Sequence, residues 1–225
     1  MKDTLREVRD DARFRVSTDI VVFTVRRDRL EVLLCRQETA SNERGVWSLP
    51  GGFVADGEPL DASARRALAE HTGLADIYLE QLFTFGQPER HPGPRVISVA
   101  YFALVPGDRL TGFDSGRTGT WWDAARLPPL YLDHEQIIDT ARERLAAKLE
   151  YSTIAFQLMP DRFTLSELQG VYETIYDRPV DKRNFRKRVL ALEHVQATDH
   201  KRRNGFHRPA RLYRYTARDA IEILK

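Results

Sequence analysis

The stretch from Val46 to Leu74, VWSLPGGFVADGEPLDASARRALAEHTGL, constrains the fold more than any other part of the chain. Residues 46–54 read as a strand ending in Pro50-Gly51-Gly52, where absent side chains let the backbone bend close to a ligand. Pro59 suits a first helical turn. Leu60, Ala64, Ala67, Leu68 and His71 then recur at helical spacing until Gly73 supplies the stop. Strand, glycine turn and helix thus follow in immediate succession.

The flanking residues extend that domain. Residues 19–36, DIVVFTVRRDRLEVLLCR, form two β-branched runs around a charged turn at Arg26 to Arg29, which is a hairpin signal. Residues 77–85 and 96–105 predict two more strands, separated by a Pro/Gly-rich loop carrying Glu89, Arg90, His91 and Arg95. Trp121 and Trp122 open a further segment, and a helix is expected from near Asp133 to about Glu150. The domain boundary falls in that helix or just after it, giving domains at 1–150 and 151–225.

Beyond the boundary the pattern turns from strand-rich to helix-rich. FTLSELQGVYETIY has Thr164 or Ser166 as a helix cap and places Leu165, Leu168, Val171 and Ile175 at helical spacing. A turn at DRPV leads to a second, basic helix, DKRNFRKRVLAL. VQAT and RLYRY then read as two short strands joined by a basic loop containing Asn204-Gly205. Helix, turn, helix and β-ribbon is the order of a winged helix.

Charge separates the two parts. Residues 151–225 carry 15 Lys and Arg against 9 Asp and Glu, leaving 20 against 24 in the first 150, so a net charge of +2 hides an acidic first part and a basic second one. That asymmetry suits a protein of which one half meets a polyanion. No stretch approaches the roughly 20 apolar residues of a membrane span, and the N-terminus is charged where a signal peptide is apolar, so a soluble cytoplasmic protein is expected. The single cysteine, Cys35, lies in an alternating apolar run and reads as a small buried hydrophobe. Disulfides and structural zinc are excluded.

The segment GGFVADGEPLDASARRALAEHTGL resembles the Nudix box. Gly52, Glu58, Arg66, Leu68, Glu70, Gly73 and Leu74 stand at the family's positions and spacing, and the resemblance implies a Nudix α/β/α sandwich for roughly residues 15–150. Two positions depart from it: the family's helix carboxylates are represented here by Ala67, Glu70 and His71, so two of three are missing. Residues three and four apart share a helix face, which is how three carboxylates converge on a hard divalent cation. One carboxylate cannot replace the cluster, and an imidazole serves Mg²⁺ poorly. Negligible diphosphate hydrolysis, no catalytic residue and no bound metal are expected. The retained parts suit a sensor. Arg36, Trp47, Gly51, Gly52, Arg66, Glu70 and Arg90 are the candidate effector-binding residues, with His91 beside them. Arg66 either pairs with Glu58 or Glu70 or faces a phosphate.

In the basic helix Phe185, Val189 and Leu192 form an apolar stripe, which leaves Lys182, Arg183, Asn184, Arg186 and Lys187 to project outward. Arg reads guanine and Asn reads adenine in the major groove, while Lys and further Arg suit phosphates. Lys201, Arg202, Arg203, His207 and Arg208 follow where a wing lies. No aromatic strand or Gly-rich clamp of an RNA-binding module is visible, so duplex DNA is favoured.

The two parts together resemble the Nudix-related transcriptional regulators of NAD metabolism, the NrtR family, over nearly the whole chain. That resemblance implies a homodimeric bacterial repressor of NAD synthesis or salvage genes, released from operator DNA by ADP-ribose as effector and requiring no cofactor. Two other readings stay open: a working Nudix hydrolase using Glu58, Glu70 and a carboxylate from elsewhere such as Glu89, and an adaptor whose basic tail meets an acidic protein.

Overall fold

The computed structural model describes residues 14–39, 42–110, 119–203, 209–218 and 220–224. The chain runs β1 (Arg15–Arg26), β2 (Arg29–Thr39), β3 (Asn42–Ser48), β4 (Gly51–Phe53), α1 (Leu60–Thr72), β5 (Tyr78–Phe85), β6 (Val96–Leu104), β7 (Thr120–Asp123) and α2 (His134–Tyr151). It continues through α3 (Leu165–Tyr176), α4 (Lys182–Leu190), β8 (Val195–Arg202) and β9 (Ala210–Tyr215). The β1–β2 hairpin turns on Arg27 and Asp28, at φ 52° and 56°, the paired left-handed conformation that follows the twist of the flanking strands.

The run Ile20-Val21-Val22-Phe23 explains why helices cover both faces of the sheet. Successive strand residues point to opposite faces, and all four side chains are buried. Ile20 and Val22 pack with Ala64, Ala67 and Leu68 of α1. Val21 and Phe23 pack with Ile137, Ile138 and Ala141 of α2. The neighbouring β6 divides in the same way, Tyr101 and Ala103 toward α1 and Ala100 and Phe102 toward α2. A continuous apolar run marks such a doubly covered strand. In the mixed sheet the order is β3-β2-β1-β6-β5, with β1 and β6 parallel, β4 paired to β1, and β7 paired to β2. This is the α/β/α sandwich that the motif implies.

The single strand expected over 46–54 is two strands. β3 pairs with β2 and β4 pairs with β1, the chain crossing between them at Leu49-Pro50. Ile20 N–H donates to the Pro50 carbonyl at 2.8 Å, which draws the crossing against β1. A Cβ on Gly51 would stand 2.4 Å from the Thr18 carbonyl oxygen, so glycine is needed there for close approach. At Gly52 a Cβ would meet nothing within 4 Å.

The second part is the winged helix. Thr164, not Ser166, caps α3, and it does so in a reciprocal box: its hydroxyl accepts from Glu167 N–H while Glu167 accepts from Thr164 N–H. Asp177 ends α3 in the left-handed conformation, and Asp181 caps α4 by accepting from Asn184 N–H at 2.8 Å. Phe185 packs edge-on against Tyr172, and β8 and β9 pair antiparallel. A short 3-10 turn at Ile154–Leu158 buries Ile154, Ala155, Phe156 and Leu158, with Phe156 stacked on Tyr215 at 4.1 Å. Composition gave no sign of this turn. One apolar cluster runs from β1 and α2 through it into α3, α4 and β9. Among the described residues no helix is long and apolar enough to cross a membrane.

Candidate effector cleft and nucleic-acid interface

A cleft of about 420 Å³ opens where β1, β2, β4 and the loop before α2 meet. Arg36, Gly51, Gly52 and Arg90 line it, together with Cys35, His71 and His91. Arg36 leans on Trp47, its guanidinium carbon 4.2 Å from the ring centroid, so Trp47 supports the wall without belonging to the lining. Arg15 and Phe53 line the mouth in a similar pairing, with 3.8 Å between guanidinium carbon and ring centroid. Two guanidiniums, one backed by Trp47 and one set against Phe53 in the lining, give the cleft cationic walls and one aromatic surface, a chemistry suited to a diphosphate bearing a base.

Arg90 differs from the solvated loop cation that its surroundings in sequence suggest. Its side chain is 3% exposed and makes a forked ion pair with Asp133, at 2.9 Å from Nε and 2.7 Å from the terminal nitrogen. The same nitrogen lies 3.8 Å from Asp19, which also accepts a short hydrogen bond from the Ser98 hydroxyl. His134 completes the group: its Nδ1 accepts from Leu49 N–H at 2.9 Å, which leaves Nε2 protonated and facing Asp19 at 3.9 Å. Burial pushes the His134 pKa down, against the pull of Asp19 and Asp133, so the ring is neutral.

On α1 the motif residues take up separate roles. Arg66 donates to both oxygens of Glu58, at 2.8 and 2.9 Å, and reaches Glu70 at 3.5 Å. These bonds from Arg66, with one from Ala55 N–H, hold the Glu58 carboxyl down at about 2. Neither Arg66 nor Glu70 lines the cleft. Ala67 is buried in the core, and the Glu70 carboxylate is exposed. The His71 Nδ1 lies 3.3 Å from the Cys35 sulfur, and burial pushes the Cys35 thiol up to about 12. Among the described residues no three His, Cys, Asp or Glu side chains stand together in a way that could hold a metal ion.

The nucleic-acid candidates divide by exposure. Lys182, Arg183, Asn184 and Lys187 are exposed on α4, while Phe185 and Val189 are buried beneath it. Lys201 and Arg203 are exposed at the end of β8. Two other cations are folded back onto α3. Arg202 pairs with Glu167 at 2.6 Å and donates to the Arg162 carbonyl, and Arg186 reaches the Ser166 hydroxyl at 3.5 Å. The Arg186 Nε is buried with no partner. Asn204, Gly205, His207 and Arg208 lie outside the described residues.

Sequence reasoning missed Arg15, Asp19, Phe53, Asp133 and His134. One signal was available: Asp19 is a carboxylate opening the run DIVVF, and a charge at the head of a buried strand needs a partner. The partner itself was hidden, because Asp19 is met by Arg90 from a loop far along the chain, and Arg90 is in turn held by Asp133, a further 43 residues on.

A family model described as the NUDIX domain matches residues 13–141, and one described as the NrtR DNA-binding winged helix domain matches residues 155–215. The ADPR responsive transcriptional repressor NtrR of Acinetobacter baylyi is 34% identical over 210 residues, covering 91% of this chain and 83% of that protein. An ADP-ribose pyrophosphatase of Methanocaldococcus jannaschii is 36% identical over 95 residues, 42% of this chain and 56% of that protein. The crystal structure of Shewanella oneidensis NrtR complexed with a 27mer DNA superposes with a TM-score of 0.80 at 34% identity, covering 89% of this chain and 93% of that one.

Proposed function

The chain belongs to the NrtR family of Nudix-related transcriptional regulators, and on that premise we propose that it is a repressor whose winged helix holds operator DNA until ADP-ribose fills the Nudix cleft. The observation that carries the reading is one continuous apolar core joining the cleft half to a helix whose Lys182, Arg183, Asn184 and Lys187 face solvent. ADP-ribose supplies what the cleft can recognise: a diphosphate for Arg36 and a base for the aromatic-backed walls. The relative from Acinetobacter is described as responding to the same ligand, and the relative from Shewanella was crystallised on DNA. The protein acts in the bacterial cytoplasm as a homodimer on genes of NAD synthesis or salvage. Arg36, Gly51, Gly52 and Arg90, with Trp47 behind them, make the effector site; Lys182, Arg183, Asn184, Lys187, Lys201 and Arg203 make the DNA site.

The effector is bound and not hydrolysed. The donor set does not fit the Mg²⁺ cluster of a Nudix hydrolase: Ala67 offers no oxygen, Glu58 is held by Arg66, and His71 faces Cys35. Glu70 and Glu89 are exposed carboxylates that join no metal-competent cluster among the described residues. No cofactor is needed for binding.

The test is a titration at fixed salt of DNA from upstream of the protein's own gene and of NAD genes, against scrambled duplex, with and without ADP-ribose. Selective binding that ADP-ribose weakens supports the reading. Equal affinity for operator and scrambled duplex, or metal-dependent release of AMP at an ordinary enzymatic rate, contradicts it.

A further inference from the structure

Resting on the functional reading above, we infer that the Arg90–Asp133 ion pair is the latch through which occupancy of the cleft reaches the DNA-binding half. One guanidinium faces two carboxylates here. Arg90 is bound to Asp133 through two hydrogen bonds and sits within 3.8 Å of Asp19. Arg90 lines the cleft, whereas Asp133 does not. Asp133 instead occupies the position just before α2, where its carbonyl accepts from Ile137 N–H. A diphosphate entering the cleft brings a third anion to a cation that already holds two, and Asp133 is the carboxylate that can leave, because Asp19 is also held by Ser98.

Whatever moves Asp133 moves the start of α2. That helix of 18 residues spans about 27 Å. Its face of Ile137, Ile138, Ala141, Leu145 and Leu149 is fully buried. At the far end Ser152 caps the Lys148 carbonyl and Thr153 bonds to Glu222, both by main-chain contacts, and Phe156 stacks on Tyr215 of the wing. Tyr131 N–H and His134 Nδ1 tie the near end to the Trp47 carbonyl and Leu49 N–H beside the cleft. Packed side chains do not absorb a shift of the helix, so the shift is passed to α3 and α4. Arg90 is a binding residue in this scheme and Asp133 is a positioning residue.

The experiment measures ADP-ribose affinity by calorimetry and operator affinity with and without ADP-ribose, using the full chain, Asp133→Asn and Asp133→Glu. If the pair holds the DNA-competent state, Asp133→Asn releases it in advance. ADP-ribose then binds tighter by about fivefold or more, the lower end of coupling between linked sites. Operator affinity without ligand falls toward that of the ligand-bound wild type, and Asp133→Glu restores both. General damage to the fold cannot tighten a ligand. Wild-type-like ligand affinity and full release in Asp133→Asn would overturn the latch, as would weaker ligand binding in that variant. Should Asp133→Asn not fold, amide exchange in the wild type decides: ADP-ribose speeds exchange at residues 134–138, and no change there overturns the proposal. A wild type whose operator affinity ignores ADP-ribose overturns the functional reading itself.

Discussion

The Arg36 guanidinium lies over Trp47, with 4.2 Å between its central carbon and the ring centroid, on the wall of the cleft. The ring fixes the cation where a diphosphate can meet it. Arg36→Ala is expected to weaken ADP-ribose by about tenfold or more, the worth of a charge-assisted hydrogen bond, while leaving operator affinity without ligand near wild type. Calorimetry and anisotropy titration check the two halves of that statement, and unchanged ADP-ribose affinity counts against the assignment.

Lys187 and Asn184 share an exposed helix but are expected to fail differently. Lys187→Ala should weaken every duplex alike and reduce the slope of log affinity against log salt by about 0.9, one phosphate contact. Asn184→Ala should cost about 1–3 kcal/mol on the operator and relax preference at one adenine. Salt series on operator and scrambled duplexes distinguish them.

Cys35 is the chain's one cysteine and lines the cleft. Its thiol, pushed up to about 12 by burial, holds almost no thiolate at pH 8. Reaction with a disulfide reagent should therefore be roughly 1,000-fold slower than for free cysteine, should become fast on unfolding, and should slow further with ADP-ribose bound. A rate matching free cysteine in the folded protein contradicts the burial.

His134 sets an acid limit on stability. Its pKa is lowered in the folded protein by burial, from 6.5 in a free ring. The unfolded chain therefore binds the proton more readily, and stability is present above 6.5 and falls as pH drops below it toward the folded value. Melting temperature should decline between pH 7.5 and 5.5, and His134→Gln should flatten that decline even though it lowers stability at pH 7.5. An equal slope in both proteins would assign the effect to other groups.

How much of this was legible in the sequence depended on distance along the chain. The apolar runs of β1 and β6, the Pro59 to Gly73 helix and the capped start of α3, at one of its two candidate residues, are local patterns that the structure keeps. The exposed face of α4 followed from the placing of Phe185 and Val189. The cleft was only half legible: Gly51, Gly52 and Arg36 sit near the motif, but Arg15, Asp19 and His134 reach it from β1 and from the start of α2. Arg90 and Arg202 show the same limit. Each looks like a free loop or strand cation, and each is held by a carboxylate that only the fold brings near, Asp133 and Glu167.

On the proposed reading, one ligand site and one DNA site share a single equilibrium, so each must feel the other by the same factor. ADP-ribose should be titrated calorimetrically into the full chain alone and into the chain saturated with operator duplex, at one salt concentration. Weaker ADP-ribose binding to the complex is expected, by the factor with which ADP-ribose weakens the operator. The same dissociation constant in both titrations would contradict it.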